Sequence, residues 1–150
     1  MITYQRESFS QFIADGKELF AIHNQEVVTQ VDGIPLDVNY KAYFKLEEME
    51  KLEVHTVRDD GKLIGYSLWM LYYHIHYKSS LTATSTLIYI IPEYRKGLLG
   101  YKLIKWSIDK IKKRGVQRLI IGVKPDHDFG KLLERLGATL FEKTYSIVLE

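Results

Sequence analysis

A chain of 150 residues, 46% hydrophobic and 27% charged, suits one domain with a sizeable core and is too apolar for a disordered one. The absence of cysteine excludes a disulfide framework, a thiol nucleophile and a cysteine-based zinc site. A formal net charge of +2 gives no bulk attraction for nucleic acid, and with no signal-peptide pattern and no apolar run of about 18 residues the chain reads as cytoplasmic.

Residues 1–6 read as a first strand. Ser8 is a helix cap, and Phe9, Phe12, Ile13, Leu19 and Phe20 recur at helical spacing through about Asn24. A polar stretch with Gly33 and Pro35 reads as a loop, and a second helix is expected over 37–49, with Tyr40, Tyr43, Phe44 and Met49 on its apolar face. Residues 52–58 alternate, Asp59-Asp60-Gly61 is a hairpin signal, and 63–71 return as the partner strand. Residues 72–81 form a polar, aromatic connection, and 82–91 a third long β segment stopped by Pro92. A helix is expected over 98–114, with Leu103, Ile104, Ile108 and Ile111 as its buried stripe and Gly115 as its stop. A short strand over 118–123, a helix over 128–136 closed by Gly137, and a last strand over 138–149 complete the chain.

The order is β-α-α-β-β-β-α-β-α-β, an α/β (mixed α+β) fold in one domain over 1–150. Its centre is a mostly antiparallel sheet with flanking helices. The strand–helix–strand unit over 82–123 is long enough for a right-handed parallel crossover.

Residues 87–105, LIYIIPEYRKGLLGYKLIK, carry the most chemistry. A strand hands over to a helix through a glycine-containing turn. The first turn of a helix has unpartnered N–H groups, and these attract phosphate together with the helix dipole. Gly100 lets an anion approach the backbone, and Arg95 and Lys96 add positive charge. On these grounds alone the segment reads either as a pyrophosphate site or as an ordinary strand–helix turn.

The segment also resembles the GNAT N-acetyltransferases, whose motif reads Arg/Gln-x-x-Gly-x-Gly/Ala, often after Pro-Glu-Tyr. Pro92-Glu93-Tyr94-Arg95 matches the lead-in and Gly100 the last small residue. Leu98 replaces the first glycine, while Gly97 sits one place earlier. The order of elements from 52 to 136 is that of the family, and the stretch from His74 to Gly97 is similar to small phage-encoded members. The resemblance implies a GNAT fold that takes acetyl-CoA as acyl donor, with the parallel β-α-β unit binding it. Its pyrophosphate would lie on the amides of Arg95, Lys96, Gly97, Leu98, Leu99, Gly100 and Tyr101. It further implies that Ile90 and Ile91 sit at a strand bulge and pair with the pantetheine arm, and that His127 lies near the thiol end.

Acyl transfer to an amine must remove a proton, because a free lysine amine has a pKa of about 10.4. Many members of the family place a proton-donating tyrosine four residues before the glycine that closes the last helix; here that position is Leu133. His74 and His76, two apart and therefore on one face of an extended chain, are candidates for proton transfer, as is Tyr145 on the expected last strand. The two histidines lack a third ligand, so no metal site is expected. Glu26, Asp32 and Asp37 make the loop over 24–38 acidic, which suits a cationic acceptor.

The leading expectation is transfer of an acetyl group from acetyl-CoA to a primary amine, by direct attack in a ternary complex. The acceptor would be a small molecule, a protein or a modified nucleotide. A base-modifying enzyme is a second reading, motivated by the Tyr-His-Lys segment over 72–78 and the phage-like stretch. A non-catalytic CoA-binding module is a third, motivated by Leu98 and Leu133. A homodimer is an expected state, no membrane partner is expected, and a phage-encoded protein would act in the host cytoplasm.

Overall fold

The computed structural model describes residues 1–26 and 33–149. It contains strands β1 (Ile2–Arg6), β2 (Leu52–Asp59), β3 (Lys62–Tyr73), β4 (Leu81–Ile90) and β5 (Val116–Ile120). Its helices are α1 (Phe9–Glu26), α2 (Tyr40–Glu48), α3 (Leu99–Lys112) and α4 (Gly130–Arg135). Short 3₁₀ turns cover Pro92–Tyr94 and Pro125–His127.

Local chemistry sets several of these boundaries. Ser8 Oγ accepts the Gln11 N–H at 3.1 Å and so caps α1, and Asn39 Oδ1 accepts the Ala42 N–H at 3.0 Å at the start of α2. Asp60 and Gly61 both adopt positive φ, 45° and 84°, which suits the right-handed twist of the β2–β3 hairpin.

The sheet runs in chain order, β1-β2-β3-β4-β5. The first three pairings are antiparallel and β4–β5 is parallel, with α3 as the crossover. Helices cover both faces. On one side Phe9, Phe12 and Phe20 of α1 pack with Leu52, Val54, Tyr66 and Leu68. On the other, Leu103 and Ile111 of α3 lie against strand residues such as Val57, Ile64 and Trp69. Because both faces are covered, β2 and β3 are buried almost along their length. No helix among the described residues is long and apolar enough to cross a membrane.

Three departures from the sequence expectation bear on function. The bulge falls at Thr86, between the pairs Trp69↔Ser85 and Leu68↔Leu87, and not at Ile90–Ile91. The fifth strand ends at Ile120, three residues early, because the chain turns off toward Pro125. Finally, residues 138–149, expected as a last strand, are exposed and pair with no strand among the described residues. Of the acidic loop, residues 27–32, with Asp32, lie outside the described residues.

Candidate active site

Strand β4 outruns its parallel neighbour. Its pairing with β5 covers only Leu81 to Thr84, with Thr84 opposite Ile120, whereas β4 continues to Ile90. From Ser85 onward its β5-facing edge has no strand partner among the described residues, and a V-shaped cleft opens toward 121–124. The Thr86 bulge adds local twist where the two strands part.

Two chambers occupy the cleft. One, of about 330 Å³, is lined by Ile90, Arg95, Gly97, Gly100, His127 and Leu132 among others. The second, of about 420 Å³, lies between the bulge and the α1–α2 side and is lined by His23, Asn24, Tyr43, Thr86 and Lys124 among others. Ile88, His127 and Phe129 belong to both walls, so the chambers meet there.

The first chamber lies at the start of α3. α3 starts after Leu98 with no side-chain hydrogen bond capping it. Gly97, at φ +109°, turns the chain into the helix in a conformation that favours glycine. Gly100 is different. Its φ is ordinary, and an added Cβ would meet Ile90 Cδ1 at 3.5 Å and Leu132 Cδ1 at 3.7 Å, normal contacts. Neither backbone nor packing demands glycine at 100, whereas close approach of a phosphate to the helix start does.

Arg95 is already engaged. Its Nε donates to the Ile90 carbonyl at 2.8 Å, its Nη1 pairs with the Glu26 carboxylate, and its guanidinium lies 5.2 Å from the Tyr89 ring centroid. Tyr89 Oη donates to Glu26 at 2.6 Å. The Arg95 bond holds the Glu26 carboxyl below the usual carboxylate range against the opposing effect of burial. Burial, then the bond to Glu26, pushes the Tyr89 hydroxyl up to about 12. This network ties the end of α1 to the turn before α3, so the positive charge expected of Arg95 is largely spent inside the protein.

The other expected cofactor residues divide. Ile90, Gly97, Gly100 and His127 come together with Arg95 in one chamber. Ile91 turns away, its N–H donating to the Ile64 carbonyl at 3.0 Å. Lys96 and Leu98 are exposed, Leu99 packs into the Val57–Ile64–Leu103 cluster, and Tyr101 is half-buried. Leu132 reaches the chamber, while Leu133 is buried on the other side of α4.

The expected proton-transfer residues lie elsewhere. His74 and His76 sit in the β3–β4 turn, which the register Tyr73↔Leu81 places at the opposite end of β4 from Ile90. Ten strand residues separate the two turns, about 30 Å. Tyr145 is 87% exposed on the unpaired C-terminal segment.

His23, which has no place in the sequence motifs above, is a candidate the fold brings to the second chamber. It extends the buried α1 stripe of Phe9, Phe12, Gly16 and Phe20, a spacing that could have flagged a polar group in need of a partner. Its Nδ1 shares a hydrogen bond with Tyr66 Oη at 2.5 Å, and its ring stacks on Tyr89 at 4.5 Å. Burial pushes its pKa down to about 4, with Glu26 opposing, so the imidazole is neutral at pH 7. Beside it, Asn24 Oδ1 is buried without a partner among the described residues.

Residues 17–138 match the sequence model of the acetyltransferase (GNAT) family. The chain belongs to that family. The matched region contains both chambers, the α3 start and the parallel crossover. The GNAT fold recurs in a ribosomal-protein-alanine N-acetyltransferase from Brucella melitensis biovar Abortus 2308, at 17% identity and TM-score 0.73, covering 100% of both chains. It recurs in glucosamine-6-phosphate N-acetyltransferase from Arabidopsis thaliana, at 14% identity and TM-score 0.70, covering 100% of this chain and 99% of that one. An aminoglycoside acetyltransferase from an uncultured soil metagenomic sample matches at 13% identity and TM-score 0.68, covering 99% and 97%. No curated protein sequence matches the chain.

Proposed function

We propose that this GNAT enzyme moves the acetyl group of acetyl-CoA onto a primary amine by direct attack in a ternary complex. One observation carries the reading: an unpaired stretch of β4 backbone faces a cleft that joins the uncapped start of α3 to a second chamber. The amides from Lys96 to Tyr101 would hold the pyrophosphate, and the β4 edge from Ser85 to Ile90 would hold the pantetheine arm. The uncapped α3 start and the sterically unforced Gly100 support this fit. Bound there, acetyl-CoA supplies an activated thioester. A backbone N–H of β4 aimed at the developing oxyanion would contribute on the order of 2.7–4 kcal/mol to catalysis.

The amine would enter the His23 chamber. An ammonium cannot attack, so the amine must shed its proton to solvent on entry; His23, neutral at pH 7 and steadied by Tyr66 and Tyr89, would orient the incoming amine by a hydrogen bond. His127, on the wall common to both chambers, is placed to return a proton to the departing thiolate. The α4 side offers only Phe129 and Leu132 for that task. The nucleotide-acceptor alternative loses its main support, because the Tyr-His-Lys segment that motivated it lies at the far end of β4.

A thiol-release assay tests the proposal directly, since a chain without cysteine contributes no background. The panel takes its acceptors from the similar folds: aminoglycosides, amino sugar phosphates and peptide α-amines. Turnover with at least one class is expected. Binding of acetyl-CoA without turnover of any would favour the non-catalytic module, and no binding would overturn the site.

A further inference from the structure

The second chamber has an apolar wall and charged groups of one sign. Phe20, Leu36, Val38, Leu87 and Phe129 supply the apolar surface. Its basic side chains are His23, Lys124 and His127, and no carboxylate lines it among the described residues. The acidic loop does not change this. Glu26 is spent on Arg95 and Tyr89, and Asp37 is exposed and lies off the wall. His23 records the charge around it. Burial is the main cause of its lowered pKa; Glu26 opposes, and Arg95 and Lys124 lower it further. Positive charge from two elements thus reaches the imidazole, and the carboxylate acting against it is already bonded.

Asn24 is out of place on such a wall. It follows His23 in α1 and lines the same chamber, yet its Oδ1 is buried with no partner among the described residues. A buried carbonyl oxygen without a donor is costly, and the N–H of a bound amine would supply the donor.

We propose that the second chamber selects a small monoamine with an apolar body, alkyl or aryl, whose nitrogen donates to Asn24 Oδ1 while its carbons lie on the apolar wall. This rests on the acetyl-transfer reading and narrows its acceptor. A monoamine that has shed its proton enters uncharged. A polyamine or an aminoglycoside would bring further ammonium groups toward Lys124 and His127, with no carboxylate among the described residues to meet them. The volume, about 420 Å³, lies near the lower end for small-molecule sites, and an apolar wall with few polar groups is their usual make-up. On transfer the nitrogen bonds to the acetyl carbon, the C–S bond breaks, the nitrogen loses one proton and the CoA thiolate takes one up. The product is a neutral amide that suits the same wall.

Isothermal titration calorimetry on the full chain saturated with CoA, which cannot react, reads the second chamber alone. 2-Phenylethylamine should bind roughly 10-fold tighter than spermidine, or more. Asn24→Ala should weaken 2-phenylethylamine roughly 10-fold and leave CoA binding unchanged. Leu36→Asp, at a position 55% exposed and therefore tolerant of the change, should move the ratio toward spermidine. Spermidine binding as tightly as 2-phenylethylamine, or no binding of 2-phenylethylamine, overturns the proposal. Its failure is distinct from that of the catalytic reading. If 2-phenylethylamine binds but no amine releases thiol from acetyl-CoA, the chamber's preference stands and the catalytic reading falls. If kanamycin releases thiol and 2-phenylethylamine does not, the catalytic reading stands and the preference falls.

Discussion

At its first residue β4 is flanked by Tyr73, His74, His76 and Tyr77; around and past its last stand Tyr89, Tyr94, Arg95 and Lys96. The side chains at the two ends are of similar kind. At the first end Leu81 is paired on both sides, to Tyr73 and to Val116, and the two histidine rings lie tilted, 5.3 Å apart, in a turn outside the sheet. At the second end β5 has departed, β4 has an open edge, and an uncapped helix begins. What separates a surface turn from a candidate active site is therefore backbone left without a partner, and side-chain chemistry alone does not distinguish them.

The sharpest way to break that contrast is Gly100→Glu, which places bulk and negative charge at the α3 start. Wild-type protein with acetyl-CoA at about 100 times its dissociation constant should gain about 2.7 kcal/mol, a rise in Tm of roughly 5–10 °C. The variant should lose the whole shift, while His74→Ala/His76→Ala should keep it. Next in size, His23→Gln should lower kcat/KM for the amine roughly 10-fold with little change in KM for acetyl-CoA. The His74/His76 variant should turn over as wild type; an equal loss there would reverse the assignment.

His23 also sharpens the contrast through pH. Its folded pKa, about 4, lies below the ordinary 6.5, so between those values the unfolded chain binds more protons than the folded one. Stability should be insensitive to His23 above pH 6.5 and fall as pH drops toward 4, by on the order of 3 kcal/mol in all. Urea titrations at pH 7 and 5 should show a loss that His23→Gln abolishes. The smallest effect belongs to Glu26→Gln. It removes a partly exposed ion pair with Arg95, and its cost should stay below about 1 kcal/mol.

Where an element depends on its own neighbours in sequence, it was legible. The Asp60-Gly61 hairpin, the α1 and α3 stripes and the parallel crossover all follow from local periodicity and turn chemistry. Part of one chamber was legible too, since Arg95, Gly97, Gly100 and His127, all named from the sequence, line it together. The cleft itself was not, because it depends on where β5 stops relative to β4 and on a bulge at Thr86, both properties of pairing between strands. Arg95 looked available because Glu26, 69 residues earlier, is its partner. His23 was not legible, because its setting comes from Tyr66 and Tyr89 on two different strands. The final segment read as a strand, but it pairs with none among the described residues.

Amide hydrogen exchange with and without acetyl-CoA addresses both ends of β4 in one experiment. Protection should appear over residues 85–90 and 96–101, with the 74–80 turn unchanged. Protection of 74–80, or none along either stretch, would contradict the placement of the cofactor on the unpaired end of β4.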